Sequence, residues 1–293
     1  MIYIILFLFG ASLGSFINVL SLRYKEDKFI LSREIIGGRS HCRNCKKILK
    51  WYELIPILSF IFQSGKCRHC KTKLIWQYFW VELICGLIPI LTFIYFQNNL
   101  ITFFPKTISN FFYFWSFILI WDLILLTLVL ISLIDLKLKI IPNETIIFLI
   151  ILGIALNLLI VYNWNEFYSF LGQYNSFFGD FTNFKENRLI AFIFALLFFG
   201  GIILVTLGQG MGMGDLKLMI ALSIIFGWPE TLIISILSFI LGGIVSLILI
   251  LKYKTNLKGI LPFGPFIVIS SFLTLFLGKQ ILEFYFYIMN FFN

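Results

Sequence analysis

Two short runs of this chain place an aspartate at the end of an apolar segment in closely similar settings. Asp135 and Asp215 each begin an Asp-Leu-Lys triplet, and each lies where a membrane-length apolar run meets polar sequence. A carboxylate at membrane depth is costly, so it indicates function by default. Two carboxylates that meet resist joint ionisation and can divide the roles of acid and base. We therefore expect an acid/base pair; the alternative is that each aspartate caps a helix or pairs with the lysine two residues on.

Four cysteines form a second candidate site. The segments Cys42-Arg43-Asn44-Cys45 and Cys67-Arg68-His69-Cys70 are two C-x-x-C motifs with 21 residues between them, close to the zinc-ribbon spacing. Four thiolates suit tetrahedral Zn²⁺, which would fold an arm that has little apolar core of its own. The alternatives are paired disulfides, which a cytoplasmic location disfavours, and a redox C-x-x-C. We expect a structural zinc ion bound by Cys42, Cys45, Cys67 and Cys70.

The elements that position these residues are membrane-spanning helices. Of the 293 residues, 60% are hydrophobic and 13% charged, with a mean hydropathy of +0.98. Repeated apolar runs of about 20 residues match the thickness of a bilayer core. The sequence predicts an all-α polytopic membrane protein with about eight transmembrane helices and a cytoplasmic four-cysteine zinc-binding arm between helices 1 and 2. The expected spans lie near 2–22, 75–96, 111–134, 145–162, 189–207, 216–228, 231–251 and 260–278.

The positive charge is concentrated in one segment. Residues 23–73 hold 13 Lys/Arg and 4 Asp/Glu, whereas the rest of the chain has ten of each sign. Nucleic-acid binding would also use a basic surface, but this arm has no readout motif. A short basic loop between spans follows the positive-inside rule, which makes the arm cytoplasmic.

Counting crossings from this arm returns the third and fifth spans to the cytoplasmic face, near Asp135 and Asp215. Lys137, Lys139, Lys217 and the lysines of 252–258 lie in the same cytoplasmic turns. Another membrane acid, Asp122, precedes Asp135 by thirteen residues, which is about 20 Å along a helix. We expect Asp122 to pack or to form a hydrogen bond, and Asp135 and Asp215 to share one depth.

A glycine at every second position leads up to Asp215. Gly208, Gly210, Gly212 and Gly214 permit backbone conformations and close approaches that other residues do not. The spacing differs from a dinucleotide fingerprint, and no βαβ unit surrounds it. Non-helical backbone at membrane depth must be buried or line a wet cavity. The run therefore predicts an unwound segment suited to an extended substrate.

The chain resembles the bacterial type IV prepilin peptidases, which are membrane aspartic peptidases. The resemblance covers most of the chain and occurs in four ordered blocks. They are Gly14-Ser15-Phe16-Ile17-Asn18-Val19; the cysteine arm with Trp51-Tyr52-Glu53 and Ile55-Pro56, continuing to Val81-Glu82 and Gly86; Asp135 with Ile141-Pro142; and Gly212–Leu218, followed by Pro262-Phe263-Gly264-Pro265. Asn143, Leu54 and Phe79 depart from the family pattern, which has Asp, Asn and Pro there.

The resemblance implies that Asp135 and Asp215 are the catalytic pair. It implies a prepilin or pseudopilin substrate with a short basic leader ending in glycine, followed by a hydrophobic helix. It also implies a second activity, methylation of the new N-terminal amine from S-adenosylmethionine, for which no separate motif is visible. The expected location is the bacterial cytoplasmic (inner) membrane, in a pilus, type II secretion or competence system.

These expectations divide the chain into a first transmembrane helix (1–22), a basic four-cysteine zinc arm (23–74) and a polytopic aspartic peptidase domain (75–293). The expected partners are the prepilin substrate helix and the lipid bilayer, without nucleic acid. The alternatives are a peptidase without methyltransferase activity, a proton- or ion-coupled transporter, which would also use intramembrane aspartates, and a purely binding role for the arm. A presenilin-like peptidase also has an aspartate after Gly-x-Gly, but the cysteine arm and Pro-Phe-Gly-Pro argue against it.

Overall fold

The structure is a computed structural model that describes residues 1–26, 28–99, 111–163, 184–253 and 261–292. Within these ranges the regular structure is helical, apart from two isolated β-bridges in the cysteine arm. The helices are α1 (Ile2–Arg23), α2 (Arg33–Ile36), α3 (Leu58–Phe62), α4 (Gln77–Asn98), α5 (Phe111–Leu138), α6 (Asn143–Asn163), α7 (Phe184–Val205), α8 (Met213–Phe226), α9 (Glu230–Tyr253) and α10 (Gly264–Phe292), with one 3₁₀ turn at Trp51–Glu53.

Seven of the described helices are long and apolar enough to cross a membrane: α1, α4, α5, α6, α7, α9 and α10. The span expected at 216–228 is instead the 14-residue helix α8, which is about 21 Å long. The helix α5 continues to Leu138, so Asp135 lies in its last turn and not after its end. The expected cytoplasmic lysines at 254 and 258 lie outside the described residues.

The first of two compact units contains Met1–Asn98 and Trp121–Ile134. Its helices α1 and α4 pack closely because α1 has glycines at the contact. A Cβ on Gly10 would lie 2.3 Å from the carbonyl oxygen of Cys85, and one on Gly14 would lie 2.6 Å from the Cys85 Cβ. Small residues that let two backbones approach are the usual basis of helix packing in membranes.

The second unit contains Asn99–Ile120 and Asp135–Asn293, and its centre is the short helix α8. At the C-terminal end of α8, Asn157 of α6 donates a hydrogen bond to the Ile224 carbonyl at 3.0 Å. The amide of Asn187, at the start of α7, bonds both backbone groups of Trp228, just after α8. The C-terminal end of α8 is therefore held by α6 and by the start of α7, and most residues of α8 are buried.

Candidate active site and metal centre

Asp135 is held by the start of a distant helix. Its side chain is buried, and its Oδ2 accepts the backbone N–H of Gly264 at 3.0 Å. Gly264 is the first residue of α10, so the carboxylate lies at a helix N-terminus, where the partial positive charge favours an anion. The carbonyl of Asp135 accepts a hydrogen bond from the N–H of Lys139. Lys139 has a φ of +59°, which is incompatible with a right-handed helix, and it directly follows the end of α5.

The position of Gly264 accepts no side chain without rearrangement. A Cβ there would lie 2.6 Å from Oδ2 and 3.2 Å from Cγ of Asp135. The block Pro262-Phe263-Gly264-Pro265 thus provides a backbone donor without a side chain in its way. The resemblance includes this block, but the sequence alone indicates no contact between it and Asp135.

Asp215 lies in the first turn of α8 and is also buried. Its Oδ2 accepts the backbone N–H of Gly212 at 3.3 Å, and its own N–H donates to the Gly212 carbonyl at 3.2 Å. The preceding backbone from 206 to 212 is non-helical, as the glycine run predicts, and Gly208 has a φ of +76°. Gly208, Gln209 and Gly210 are exposed, whereas Gly214 belongs to the helix.

The segments that carry the two aspartates contact each other, and the two carboxyl groups are close enough to interact electrostatically. A Cβ on Gly214 would lie 3.2 Å from the Cβ of Ile141, so the backbone of α8 is pressed against the turn after α5. Next to this contact, Lys217 Nζ donates to Asn143 Oδ1 at 2.9 Å. The structure therefore brings together the two segments that sequence reasoning placed at one membrane face.

The alternative roles of the aspartates, helix capping and pairing with a nearby lysine, agree with the structure only in part. Asp215 bonds the backbone at the start of its helix, as a capping residue does. Lys217, however, bonds Asn143, and the salt bridges found among the described residues do not include Asp135 or Asp215. A capping carboxylate does not need to be buried, whereas both of these carboxylates are buried, which is costly.

The other acids considered have partners of their own. Asp122 accepts the hydroxyl of Thr92 at 2.6 Å, which agrees with its expected hydrogen-bonding role. Glu82 accepts the backbone N–H of Ile57 at 2.7 Å. Glu283 is half exposed and lies 3.8 Å from Lys279. These contacts leave Asp135 and Asp215 as the acids that share a site.

The four cysteines of the arm form a metal-binding arrangement. The Sγ atoms of Cys42, Cys45, Cys67 and Cys70 all lie within 4.8 Å of one another, and those of Cys42 and Cys70 are 3.7 Å apart. Tetrahedral zinc with Zn–S bonds of about 2.3 Å requires S···S separations of about 3.8 Å. The 3.7 Å between the Sγ atoms of Cys42 and Cys70 is a non-bonded separation, longer than the S–S bond of about 2 Å in a disulfide. The donor set and its dimensions fit zinc.

The two C-x-x-C segments have the same backbone geometry. Cys42 N–H donates to the Lys47 carbonyl at 3.0 Å, and Cys67 N–H donates to the Thr72 carbonyl at 2.9 Å. Lys46 and Lys71, each following a second cysteine, have φ values of +58° and +57°. The Thr72 hydroxyl, followed by its backbone N–H, lowers the pKa of the Cys70 thiol to about 5, which favours the metal-binding thiolate.

Comparison with known proteins gives consistent matches. Residues 8–96 match the family model for the bacterial peptidase A24 N-terminal domain, and residues 122–247 match that for the type IV leader peptidase family. The first range includes the four cysteines and the second includes both aspartates.

Several curated relatives match over nearly the full chain, and each is named prepilin leader peptidase/N-methyltransferase. The protein from Bacillus subtilis (strain 168) is 29% identical over 281 residues, which cover 96% of each chain. The protein from Stutzerimonas stutzeri is 25% identical, covering 93% of this chain and 89% of its own. That from Legionella pneumophila is 26% identical, with coverages of 97% and 94%. No solved structure matches.

Proposed function

The chain belongs to the type IV leader peptidase family, and from that membership we propose that it removes the leader from type IV prepilins and pseudopilins and N-methylates the new N-terminal residue. Cleavage takes place on the cytoplasmic side of the bacterial inner membrane and uses Asp135 and Asp215. The observation that carries this proposal is the juxtaposition of two buried carboxylates, each bonded to a glycine N–H.

The reaction needs one carboxyl in each protonation state. Two adjacent acids in a buried site tend to hold one proton between them. The ionised carboxylate takes a proton from water, and the water oxygen attacks the scissile carbonyl carbon. The protonated carboxyl donates to the carbonyl oxygen. Collapse of the tetrahedral intermediate breaks the C–N bond, and the amine leaves with a proton, so the products are a leader carboxylate and a free N-terminal amine.

The non-helical segment 206–212 is the proposed support for the substrate backbone. It leads directly into Asp215, and its exposed glycines present main-chain groups without side chains in front of them. An extended peptide can bind such a segment through main-chain hydrogen bonds, as in strand addition. This arrangement holds the leader junction extended beside the carboxylates, while the pilin helix remains in the bilayer.

The zinc ion proposed for Cys42, Cys45, Cys67 and Cys70 has a structural role. Four thiolates close its coordination shell, so no position remains open for substrate or water. When bound, it would join the two C-x-x-C turns and replace the apolar core that this short arm lacks. Methyl transfer is proposed from the relatives' name and consumes S-adenosylmethionine as a second substrate.

The test is to assay leader removal from a prepilin with full-length Asp135→Asn and Asp215→Asn variants in membranes. Both variants are expected to lose cleavage but to methylate pilin that has already been cleaved. Asp122→Asn is the control, since that residue bonds Thr92. Full cleavage by either site variant would exclude the pair. Ion flux that depends on the aspartates, without cleavage by the wild type, would favour the transporter alternative.

A further inference from the structure

The short helix α3 has an unusual surface for part of a basic arm. Phe62 is 84% exposed, Ile61 56% and Leu58 48%, whereas Phe60 is buried. Three neighbouring large apolar side chains form an exposed patch, and such patches mark contact with a partner or a membrane. We refer to Leu58, Ile61 and Phe62 as the α3 patch.

The buried residue Phe60 shows where the α3 patch lies. Its ring contacts Trp76 and Phe79, with centroid distances of 5.4 and 5.8 Å. Trp80 follows, with its ring 5.5 Å from that of Phe79, and it is 53% exposed.

These aromatic residues lead directly to a membrane helix. Trp80 lies in the first turn of α4, which is long and apolar enough to cross a bilayer. Its exposed ring therefore lies where α4 enters the membrane, the depth at which tryptophan is enriched. The aromatic contacts join α3 to the first turn of α4 without a break, so α3 lies next to the end of a helix of membrane-spanning length.

Positive charge borders the same helix. The N–H of Lys66 bonds the carbonyl of Gln63, the residue after α3, at 3.0 Å, and Lys66 pairs with Lys73 in an isolated β-bridge. Both lysines are exposed. Basic side chains near an anionic membrane surface are attracted to its headgroups.

We propose that α3 is an interfacial anchor: the α3 patch enters the headgroup–acyl boundary of the adjacent leaflet, and Lys66 and Lys73 contact anionic phospholipid headgroups. Interfacial segments combine these two features, apolar side chains for burial and basic side chains for headgroups. The anchor holds the cysteine arm against the bilayer independently of the catalytic aspartates.

Charge distinguishes lipid from the other possible occupants of this surface. Residues 23–73 have a surplus of nine positive charges. The leader of a prepilin is basic, according to the family resemblance, and a second copy of this chain would present the same positive arm. Both are repelled by the surface, whereas anionic headgroups are attracted.

Photocrosslinking identifies the occupant directly. The full-length, zinc-loaded protein is reconstituted into phosphatidylcholine vesicles containing phosphatidylglycerol, with Phe62→p-benzoylphenylalanine. The matched control is Arg43→p-benzoylphenylalanine, at an exposed position on the first C-x-x-C segment. Illumination is expected to give a phospholipid adduct at position 62 several-fold more abundant than at position 43. A dimer adduct or an adduct with added prepilin as the main product at 62, or equal lipid adducts at both positions, would overturn the proposal.

A second comparison tests the two lysines. Lys66→Gln combined with Lys73→Gln is expected to lower the ratio of phosphatidylglycerol to phosphatidylcholine adducts at position 62 by several-fold. Lys46→Gln combined with Lys47→Gln removes the same charge from another exposed site of the arm. This control is expected to change the ratio much less. An equal loss in both double variants would overturn the assignment of headgroup contacts to Lys66 and Lys73.

Discussion

The carboxylate of Asp135 accepts the backbone N–H of Gly264 at 3.0 Å, across 129 residues of sequence. This hydrogen bond joins the last turn of α5 to the first residue of α10. The donor is a backbone N–H, which has no side-chain rotamers, so it holds one carboxyl of the proposed pair in a fixed orientation. The geometry of Asp135 therefore depends on the start of a helix that contains neither aspartate.

Gly264→Ala is predicted to impair cleavage severely. The new Cβ would lie 2.6 Å from Asp135 Oδ2, so the carboxylate or the start of α10 must move. A misplacement of about 1 Å in a catalytic group can cost about 100-fold in rate, and we expect a loss of that order in kcat/KM. The measurement is leader removal from a prepilin by purified protein.

The control for this substitution is Gly243→Ala in α9, where an added Cβ meets nothing within 4 Å. It is expected to leave cleavage unchanged and to be neutral or slightly favourable for helix stability. If Gly264→Ala cleaves as well as Gly243→Ala, the contact with Asp135 is not required for the geometry of the site.

The hydrogen bond from Lys217 to Asn143 gives a second prediction. It joins the second turn of α8 to the first residue of α6, close to Asp215. Asn143→Ala removes the acceptor and is expected to lower cleavage about fivefold, which corresponds to about 1 kcal/mol. Asn143→Asp keeps an acceptor for the lysine and is expected to retain cleavage, with at most about 1 kcal/mol gained in unfolding free energy. The measurements are kcat/KM for leader removal and thermal unfolding in detergent. Equal impairment of the two variants would show that position 143 acts in another way.

Local sequence was sufficient to predict the helical fold and the clustering of the four cysteines. An apolar run in a membrane must satisfy its backbone internally, so it forms a helix, and seven of eight expected spans have span-length helices. The two cysteines of each C-x-x-C turn are three residues apart. The spacing between the two turns is typical of a chain that folds back to place the second pair beside the first. The clustering of the four cysteines could therefore be predicted without coordinates.

The contacts of the two aspartates depended on tertiary structure. The basic arm and the count of crossings predicted depth, but depth does not identify the partner of a side chain. The sequence offers Lys217 as a partner of Asp215, but its Nζ donates to Asn143 Oδ1. The donor to Asp135 lies 129 residues away, a separation at which no pattern in one sequence indicates contact. The helix α5 is longer than the expected span 111–134, because Leu136 and Lys137 extend the helix although they follow the apolar run.

Loss of a zinc ligand is predicted to unfold the arm locally. Full-length wild-type protein should contain one zinc ion per chain, and Cys67→Ser should lose it, because three thiolates do not close the tetrahedral shell. The basic segments around the C-x-x-C turns should then become sensitive to trypsin. The measurements are metal content by mass spectrometry and the rate of tryptic cleavage.

Cys85→Ala provides the matched control for metal loss. Cys85 is buried in α4 against Gly14, away from the four-cysteine cluster, so this variant should keep the zinc ion and the trypsin resistance. Zinc bound equally by wild type and Cys67→Ser would contradict a four-cysteine site. Zinc lost equally from Cys85→Ala would point to a general effect of misfolding.

The hydrogen bond between Thr92 and Asp122 distinguishes this acid from the proposed catalytic pair. Asp122 lies thirteen residues before Asp135 on α5, about 20 Å away along the helix, so it cannot act on the same peptide bond. Thr92→Val removes the hydroxyl that lies 2.6 Å from the carboxyl and leaves a buried polar group in an apolar setting. It is expected to lower the unfolding free energy by about 1 kcal/mol, in the range measured for hydrogen bonds between membrane helices.

Cleavage by the folded Thr92→Val protein should remain unchanged. Cleavage by Asp122→Asn should also remain unchanged, because this variant keeps both the volume and a polar partner for Thr92. Thermal unfolding followed by helical circular dichroism, together with the leader-removal assay, measures both effects. A folded Asp122→Asn variant that did not cleave would place this acid in the reaction and would contradict the assignment of catalysis to the cytoplasmic end of α5.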